Sequence, residues 1–236
     1  MFSDRTAALI GEEGIEKLRS ARVAVFGIGG VGGYVAEALA RSGVGHIDLI
    51  DSDVVTETNI NRQIIALTST LGKPKAEVMR ERIADINPSA EVVAHNQFYS
   101  EETADSFDLG SYDYVADAID SVKSKLALIK RALASGTPVI SAMGAGNKLD
   151  PTRFRVTDIS KTTNCPLARV IRRELRASGI NHLTVVASDE IPKQGVKDSE
   201  TGKSVPASII YCPAVAGLLM AYGIIEDIIS RDKQLP

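Results

Sequence analysis

The sequence has 236 residues, of which 44% are hydrophobic and 24% charged, and its formal net charge is −3. These values are typical of a globular domain, and the small negative charge argues against a protein that coats nucleic acid nonspecifically, without excluding a local basic face. Two cysteines without a CxxC pair exclude a disulfide scaffold and a cysteine-rich zinc knuckle. The amino-terminal residues lack a signal-peptide pattern, and the longest apolar stretch, 214–225, is too short to span a bilayer. We therefore expect a cytoplasmic protein that does not enter a membrane.

The hydrophobic pattern predicts strands and helices in alternation along the first 140 residues or so. The predicted helices cover 3–20, 30–42, 74–86, 101–107 and 121–135. The predicted strands cover 22–26, 46–51, 90–95, 112–117 and 138–140. Such alternation is typical of an α/β fold, and we predict a doubly wound, mostly parallel, Rossmann-like sheet.

After Gly146 the regular alternation ends. The pattern there predicts an edge strand, a basic helix, a short strand, a polar mobile loop and an apolar helix, at 153–158, 167–177, 184–187, 190–206 and 213–229. We predict one domain over 1–236. Its parts are an amino-terminal helix (1–20), a nucleotide-binding core (21–150) and an extension of short strands and helices on the substrate and RNA side (151–236).

A glycine-rich turn follows the first core strand, and an acid follows the second. The glycines of the turn include Gly27, Gly29, Gly30 and Gly32, and the acid is Asp51. Glycines let the backbone approach a phosphate at a helix amino terminus, and an acid about 20 residues later suits a ribose hydroxyl. By itself the pattern fits a dinucleotide site for NAD or FAD, and a glycine turn without a ligand is the plainer alternative.

The segments beyond the turn indicate which class of nucleotide-binding protein this is. They read Asp51-Ser52-Asp53, Asn59-Ile60-Asn61-Arg62-Gln63, Gly72-Lys73-Pro74-Lys75 and Asp117-Ala118-Ile119-Asp120. In this order and spacing they resemble the adenylating superfamily that includes the activators of ubiquitin and of bacterial sulfur carriers. The resemblance implies that the chain binds ATP with Mg²⁺.

The chemistry of adenylation suggests a role for each residue type. Cleaving ATP at the α-phosphate requires fixed cations, which Arg62 and Lys75 can supply as catalytic residues. Asp120 would hold Mg²⁺ and Asp51 the ribose, while Asn59 and Gln63 would bond to phosphate or to their own loop. The plainer alternatives are a solvated Lys75 and an Arg62 paired with Glu57. Asp53 and Asp117 are further candidates for the nucleotide site; Asp53 has a loop role as its alternative, and Asp117 has capping the next helix or orienting Asp120.

The second half, from Gly144-Ala145-Gly146-Asn147-Lys148 to the terminal Pro213-Ala214-Val215-Ala216-Gly217, resembles one branch of that superfamily, the tRNA threonylcarbamoyladenosine dehydratases. This resemblance implies adenylation of the substrate carboxylate in tRNA and ring closure with net loss of water. It also implies a homodimer in which Arg5 reaches the partner's ATP site, and a sulfur-trafficking protein is an open further partner. The alternatives are an activator of a ubiquitin-like or sulfur-carrier protein, an inactive nucleotide sensor and an NAD-dependent oxidoreductase.

Two features of the second half stay open. Cys165 stands where members of the branch often carry an acid, so a catalytic thiol is one alternative and a thiol without a role is the other; Cys212 fits buried packing. The predicted basic helix carries Arg169, Arg172, Arg173 and Arg176 on one broad face. That face could bind tRNA phosphates or could be an ordinary solvated face.

Overall fold

The computed structural model describes residues 4–197 and 204–231. The strands in this part are β1 (Arg22–Phe26), β2 (His46–Ile50), β3 (Glu91–His95), β4 (Tyr114–Asp117), β5 (Val139–Ala142), β6 (Phe154–Asp158), β7 (Thr184–Ser188), β8 (Val196–Lys197) and β9 (Ser204–Val205). The α-helices are α1 (Asp4–Ser20), α2 (Gly32–Ser42), α3 (Lys75–Ile86), α4 (Val122–Ala134), α5 (Pro166–Ala177) and α6 (Tyr211–Ser230).

Seven strands form one sheet in the order β3-β2-β1-β4-β5-β7-β6. All neighbouring pairs are parallel except β6 and β7, which run antiparallel with β6 at the edge. Along the chain, the first strand, β1, lies in the middle of the sheet. Strands β2 and β3 are added on one side of it, and β4 begins the other side. This order confirms the predicted doubly wound sheet and the predicted edge strand, and it creates a switch point between β1 and β4.

Helices cover both faces of the sheet, because parallel strands are apolar on both sides. On one face α2, α3 and α6 pack on a core that includes Val25, Leu39, Met79 and Met220. On the other face α4 and α5 enclose Phe26, Leu128, Ile171 and other buried residues. The sheet is thus held rigidly, and its carboxyl edge is left for loops.

The apolar helix α6 is long and apolar enough, by length and composition, to cross a membrane. In this structure Cys212, Ala216, Met220 and Ile224 of α6 are buried against α2 and the sheet. Gly217 lets the two helices approach closely, since a Cβ there would overlap the carbonyl oxygen of Val31. α6 therefore supports the end of the glycine turn from behind.

Three segments differ from the predicted elements or fall partly outside the described residues. The first helix is interrupted at Gly11, which has a φ of 75°. The segment predicted as a helix over 101–107 forms short 3₁₀ turns at Ala104–Ser106 and Leu109–Ser111 instead. In the predicted loop over 190–206, β8 and β9 pair antiparallel, and residues 198–203 lie outside the described part.

Candidate active site

A cleft of about 750 Å³ opens at the carboxyl edge of the sheet, beside the switch point between β1 and β4. One end of it is lined by the glycine turn and by the loops after β2, β3 and β4. The other end, toward β5 in the strand order, is lined by the loop after β5 and the start of α5. The segments before and at the start of α6 reach back to the glycine turn, where Pro213 lies beside Gly30. Nearly every residue that sequence motifs assign to the nucleotide lies at the first end: Gly27, Gly29, Gly30, Asp51, Asp53, Asn59, Arg62, Gln63, Lys75 and Asp120.

The glycine turn needs glycine for two different reasons. Gly27 has a φ of 88°, and a Cβ there would lie 2.8 Å from the carbonyl oxygen of Ala118. A Cβ on Gly32, which opens α2 just behind the cleft, would overlap the carbonyl oxygen of Gly27. Gly29, in contrast, has only the side-chain amide of Gln63 nearby, at 3.7 Å. The first two glycines therefore shape the turn, and Gly29 leaves room for a ligand.

Asp51 ties the glycine turn to the following loop. Its carboxylate accepts hydrogen bonds from the N–H of Ile28 at 2.6 Å and from the N–H of Asp53 at 2.8 Å. Burial raises the pKa of Asp51, while these N–H groups and Lys75 act in the opposite direction. The acid thus faces the cleft with its position fixed, as a ribose-binding acid requires.

Lys75 is buried at the start of α3, with 5% of its surface exposed, so it is not a solvated surface lysine. Its ammonium donates to the exposed Asp53 carboxylate at 2.8 Å. Asp53 therefore has a structural role, because this ion pair holds the lysine toward the cleft. A phosphate that entered would compete with Asp53 for the same ammonium.

Arg62 lies beside the glycine turn, and its side chain is close to Gly30. One guanidinium nitrogen donates to the carbonyl oxygen of Thr58 and to the side-chain oxygen of Asn61, both at 2.9 Å. No carboxylate in the described ranges pairs with it, Glu57 included. The remaining N–H groups of the fork stay available to an anion.

The two amides of the loop behave differently. Asn59 closes a 3₁₀ turn by accepting from the N–H of Thr56 at 3.1 Å, so it serves the loop. The side-chain oxygen of Gln63 is buried without a partner in the described part of the chain. The same holds for the hydroxyl of Tyr99, another residue of the cleft wall. Unpaired buried polar atoms at a cleft are places where a ligand or water completes the bonding.

Asp117 and Asp120 separate into two roles. Asp120 is exposed in the cleft, and no hydrogen bond or ion pair engages its carboxylate among residues 4–197 and 204–231. Asp117 is fully buried and accepts from Lys125 at 2.8 Å, from Ser141 at 2.6 Å and from the N–H of Ile119 at 3.1 Å. Asp117 does not line the cleft, which corrects its assignment to the nucleotide site: its carboxylate is fully used beneath the loop that carries Asp120.

The far end of the cleft contains a residue that the motifs do not assign, Lys148. It is buried, and its ammonium donates to the carbonyl oxygen of Ser188 at 2.9 Å. Cys165 lines the same end, and its thiol accepts from the N–H of Ala168 at 3.5 Å at the start of α5. Cys212 is buried behind and donates to the carbonyl oxygen of Lys148 at 3.3 Å, as its predicted packing role suggests. The sequence pattern that could have indicated Lys148 is its place in a loop directly after a core strand.

The predicted RNA face is smaller than expected. Arg169, Arg173 and Arg176 are exposed, with Arg173 paired to Glu174 at 2.6 Å. The structure corrects the prediction that Arg172 belongs to this face, because its guanidinium donates to the carbonyl oxygens of Thr162 and Ile159, at 2.9 Å and 3.2 Å. It fastens α5 to the preceding turn. Arg5 is exposed on α1 and does not line the cleft of its own chain.

Comparison with known proteins shows which family the chain belongs to. The sequence is 47% identical over 237 residues to the tRNA threonylcarbamoyladenosine dehydratase of Bacillus subtilis, a match that covers 95% of this chain and 93% of that protein. It is 46% identical over 172 residues to the Escherichia coli protein of the same name, covering 73% of this chain and 64% of that protein. The crystal structure of E. coli tRNA N6-threonylcarbamoyladenosine dehydratase in complex with ATP superimposes with a TM-score of 0.87 at 37% identity, covering 96% of this chain and 93% of that one.

These relatives confirm the resemblance predicted from the motifs. The ThiF family matches residues 3–234, which include the glycine turn, both cations and Asp120. The chain belongs to the ThiF family.

Proposed function

We propose that this chain is an ATP-dependent tRNA threonylcarbamoyladenosine dehydratase. The observation that carries the proposal is the pair of cations, buried Lys75 and loop-held Arg62, beside a glycine turn with a fixed acid, Asp51. Relatives that match most of the chain are named as such dehydratases, and the E. coli enzyme has been crystallised with ATP and with AMP. AMP is the nucleotide that an adenylating enzyme leaves behind.

In this proposal ATP lies across the first end of the cleft. The N–H groups of the glycine turn meet its phosphates, and the Asp51 carboxylate accepts from a ribose hydroxyl. The free oxygen of Gln63 is an acceptor, so it suits a hydroxyl or amino group and not a phosphate. Burial raises the pKa of Tyr99 to about 12, so its hydroxyl keeps its proton as a hydrogen-bond donor.

The first chemical step is adenylation of the substrate carboxylate. One carboxylate oxygen attacks the α-phosphorus, and pyrophosphate leaves with the electrons of the broken P–O bond. Negative charge grows on the phosphoryl oxygens and on the leaving group. Arg62 and Lys75 are placed to meet this charge, Arg62 as a planar fork and Lys75 as a point charge.

Asp120 is the residue that would hold Mg²⁺. Magnesium in nucleotide sites is held by one or two carboxylates together with phosphates and water, which neutralises phosphate charge. An exposed Asp120 without another partner in the described ranges fits that arrangement. The described residues contain no group of three or more His, Cys, Asp or Glu arranged for a metal ion, so the protein alone supplies no closed metal cage.

The second step closes the ring. A nitrogen of the threonylcarbamoyl group attacks the activated carbonyl carbon, loses its proton and expels AMP. The attacking nitrogen belongs to the substrate and is already tethered near the carbonyl, so no enzyme nucleophile is required. The chain's part is to hold the adenylate in the cleft and keep water from it.

The larger assembly is also part of the proposal. We propose a cytoplasmic homodimer in which Arg5 completes the partner's ATP site. The exposed side chains of Arg169, Arg173 and Arg176 on α5 are candidate contacts for tRNA phosphates. Because α5 begins at the far end of the cleft, tRNA bound along it would bring an anticodon loop toward the site.

The proposal is tested with purified protein, ATP, Mg²⁺ and tRNA that carries threonylcarbamoyladenosine. We expect AMP and pyrophosphate to form and the nucleoside to lose the mass of one water. Lys75→Met should reduce turnover by roughly 10²–10³-fold, the usual effect of removing one fixed donor to a transition state. Lys73→Met, at the exposed lysine two positions earlier, is the matched control and should keep wild-type turnover.

Two outcomes would count against the proposed reaction, and a third would count against one of its residues. One is unchanged tRNA in the wild-type reaction, and a second is pyrophosphate release that needs a carrier protein with a Gly-Gly tail. The second outcome would favour the alternative activator function. A fully active Lys75→Met would remove Lys75 from the catalytic residues while leaving the reaction itself in place.

A further inference from the structure

Lys148 is a buried cation without an ion-pair partner among the described residues. It is 3% exposed, and no carboxylate in residues 4–197 and 204–231 lies within ion-pair distance of its ammonium. The other buried lysines are neutralised: Lys125 pairs with Asp117 at 2.8 Å and Lys75 with Asp53 at 2.8 Å. Burying a charge without a counterion is costly, so the burial of this lysine calls for an explanation.

The side chain is held in place by neutral groups. The ammonium donates to the carbonyl oxygen of Ser188 at 2.9 Å, has a long contact of 3.5 Å to that of Glu190, and lies 5.6 Å from the centre of the Phe154 ring. An ammonium has three donors, so at least one has no partner here. The structure therefore holds the ammonium in a fixed position without a direct ion pair among the described residues.

The nearest obvious counterion is engaged elsewhere. The Glu190 carboxylate accepts from the N–H of Leu149 at 3.0 Å and 3.1 Å and from the N–H of Asp150 at 2.9 Å. These bonds hold Glu190 on the backbone that follows Lys148. Glu190 thus shapes the loop and makes no direct ion pair with the ammonium: burial lowers the pKa of Lys148, and the Glu190 charge opposes this shift from a distance.

The preceding residue also fixes the loop. Asn147 has a φ of 61°, and its side-chain oxygen accepts from the N–H of Ala207 at 2.7 Å. Its own N–H donates to the carbonyl oxygen of Ala207 at 2.7 Å. This unusual backbone conformation turns the chain at Lys148 and is held against the segment that leads to α6.

Lys148 lies close to the phosphate-binding turn. Its carbonyl oxygen accepts from the Cys212 thiol, and the next residue, Pro213, would lie 3.4 Å from a Cβ on Gly30. Arg62 would be equally close to that Cβ. A short path of contacts therefore connects the backbone of Lys148, through Cys212 and Pro213, with the glycine turn and Arg62. Lys148, Pro213, Gly30 and Arg62 all line the same cleft.

We propose that the Lys148 ammonium binds the carboxylate of the second reactant at the end of the cleft that is lined by the loop after β5. This inference rests on the proposed function, because it assigns the acid that is adenylated to a specific cation. It makes Lys148 a substrate-binding residue for an aliphatic carboxylate carried on tRNA. Burial lowers the pKa of Lys148, and a carboxylate at this position would favour the charged ammonium.

The test is a cycle that changes the lysine and the carboxylate separately. The probes are an anticodon stem-loop RNA with threonylcarbamoyladenosine and the same RNA with that carboxylate as its methyl ester. Binding is measured with AMP present and ATP absent, so no turnover occurs. Wild-type protein should bind the acid at least about tenfold more tightly than the ester, as expected for a charge-assisted hydrogen bond. Lys148→Met should bind the two RNAs with nearly equal affinity.

Lys161→Met is the matched control, because Lys161 is an exposed lysine on the turn after β6. It removes the same charge and should keep the preference for the acid. Lys148→Gln serves where the Met variant unfolds, since its amide can still donate to the Ser188 carbonyl. It should reduce the preference while AMP binding and melting temperature stay near wild type.

The inference is overturned if Lys148→Met or Lys148→Gln keeps the wild-type preference for the acid. It is also overturned if the wild-type protein does not distinguish acid from ester. A purely structural lysine would weaken binding of both RNAs equally, which the ratio of affinities detects. Failure of the proposed function has another signature, the absence of pyrophosphate when wild-type protein receives ATP and the acid RNA.

Discussion

At the residue scale, the two aspartates of the short motif at the end of β4 have different roles, one structural and one chemical. Asp117 is fully buried and paired with Lys125, while Asp120 is exposed in the cleft. The buried pair also binds Ser141, so it joins β4, α4 and β5 beneath the site. A motif of two aspartates thus contains one anchor for the sheet and one candidate magnesium ligand.

Asparagine at each position should separate the two roles. Asp117→Asn leaves the Lys125 charge buried without a partner, so the free energy of unfolding should fall by about 3–5 kcal/mol. Asp120→Asn should unfold like wild type, yet it should lower kcat and shift the Mg²⁺ requirement upward. Urea unfolding and a Mg²⁺ titration of pyrophosphate release measure these two effects.

The double variant Asp117→Asn with Lys125→Met provides the control, because it removes both charges. It should recover much of the lost stability, since a neutral buried pair carries no unpaired charge. An Asp117→Asn variant as stable as wild type would contradict the anchoring role. An unchanged Mg²⁺ response in Asp120→Asn would remove that residue as a metal ligand.

How well the sequence predicts such residues depends on the range of the contacts that define them. Arg62 and Asp120 belong to short motifs in the segments after β2 and β4, and Lys75 belongs to a short motif that opens α3. Parallel strands gather the segments that follow them at one edge of the sheet. The inward turn of Lys125 and the burial of Lys148 are set by partners 16 and 40 residues away, Ser141 and Ser188. Arg172 is similar, since the carbonyls that hold it belong to a turn before α5. A spacing of three or four residues indicates a shared helix face but not which of its cations are already bonded.

At the element scale, the glycine turn is supported by the contact between α2 and α6. Gly217 of α6 lies against the start of α2, where a Cβ would meet the backbone of Val31 and lie 2.8 Å from the Cβ of Tyr34. The sequence predicts both helices well, because each has a clear apolar pattern. It does not predict this contact, because the close approach appears only when two helices separated by about 180 residues are packed together.

Gly217→Ala should therefore move α6 away from α2. Backbone atoms cannot yield as a flexible side chain can, so we expect a loss of about 1–3 kcal/mol in unfolding free energy and weaker ATP binding. Gly223→Ala is the control on the same helix. The atom closest to a Cβ there is the end of the Ile140 side chain, at 3.0 Å, and alanine also favours the helix. Equal stability and equal ATP affinity for the two variants would show that the close contact does not position the turn.

At the scale of the whole molecule, the proposed dimer would add a residue of the partner, Arg5, to the cleft of each chain. Arg5 is exposed on α1, outside the cleft formed by its own chain. α1 packs beside α6, the helix that supports the glycine turn. Leu218 and Tyr222 of α6 are exposed apolar side chains. A second copy whose Arg5 entered the first copy's site would complete the set of cations around ATP.

Mixing two inactive variants tests this arrangement. Arg5→Ala and Lys75→Ala should each have low activity alone, because each lacks one cation at every site. In a mixed dimer, one site combines the intact Lys75 of the first chain with the intact Arg5 of the second, while the other site lacks both. Random exchange makes half of the dimers mixed, so about a quarter of wild-type activity should return. Subunit exchange is verified with differently tagged chains, and pyrophosphate release gives the activity. Verified exchange without recovered activity would mean that Arg5 does not act across a dimer interface, since an arginine that served its own chain would leave every mixed site defective.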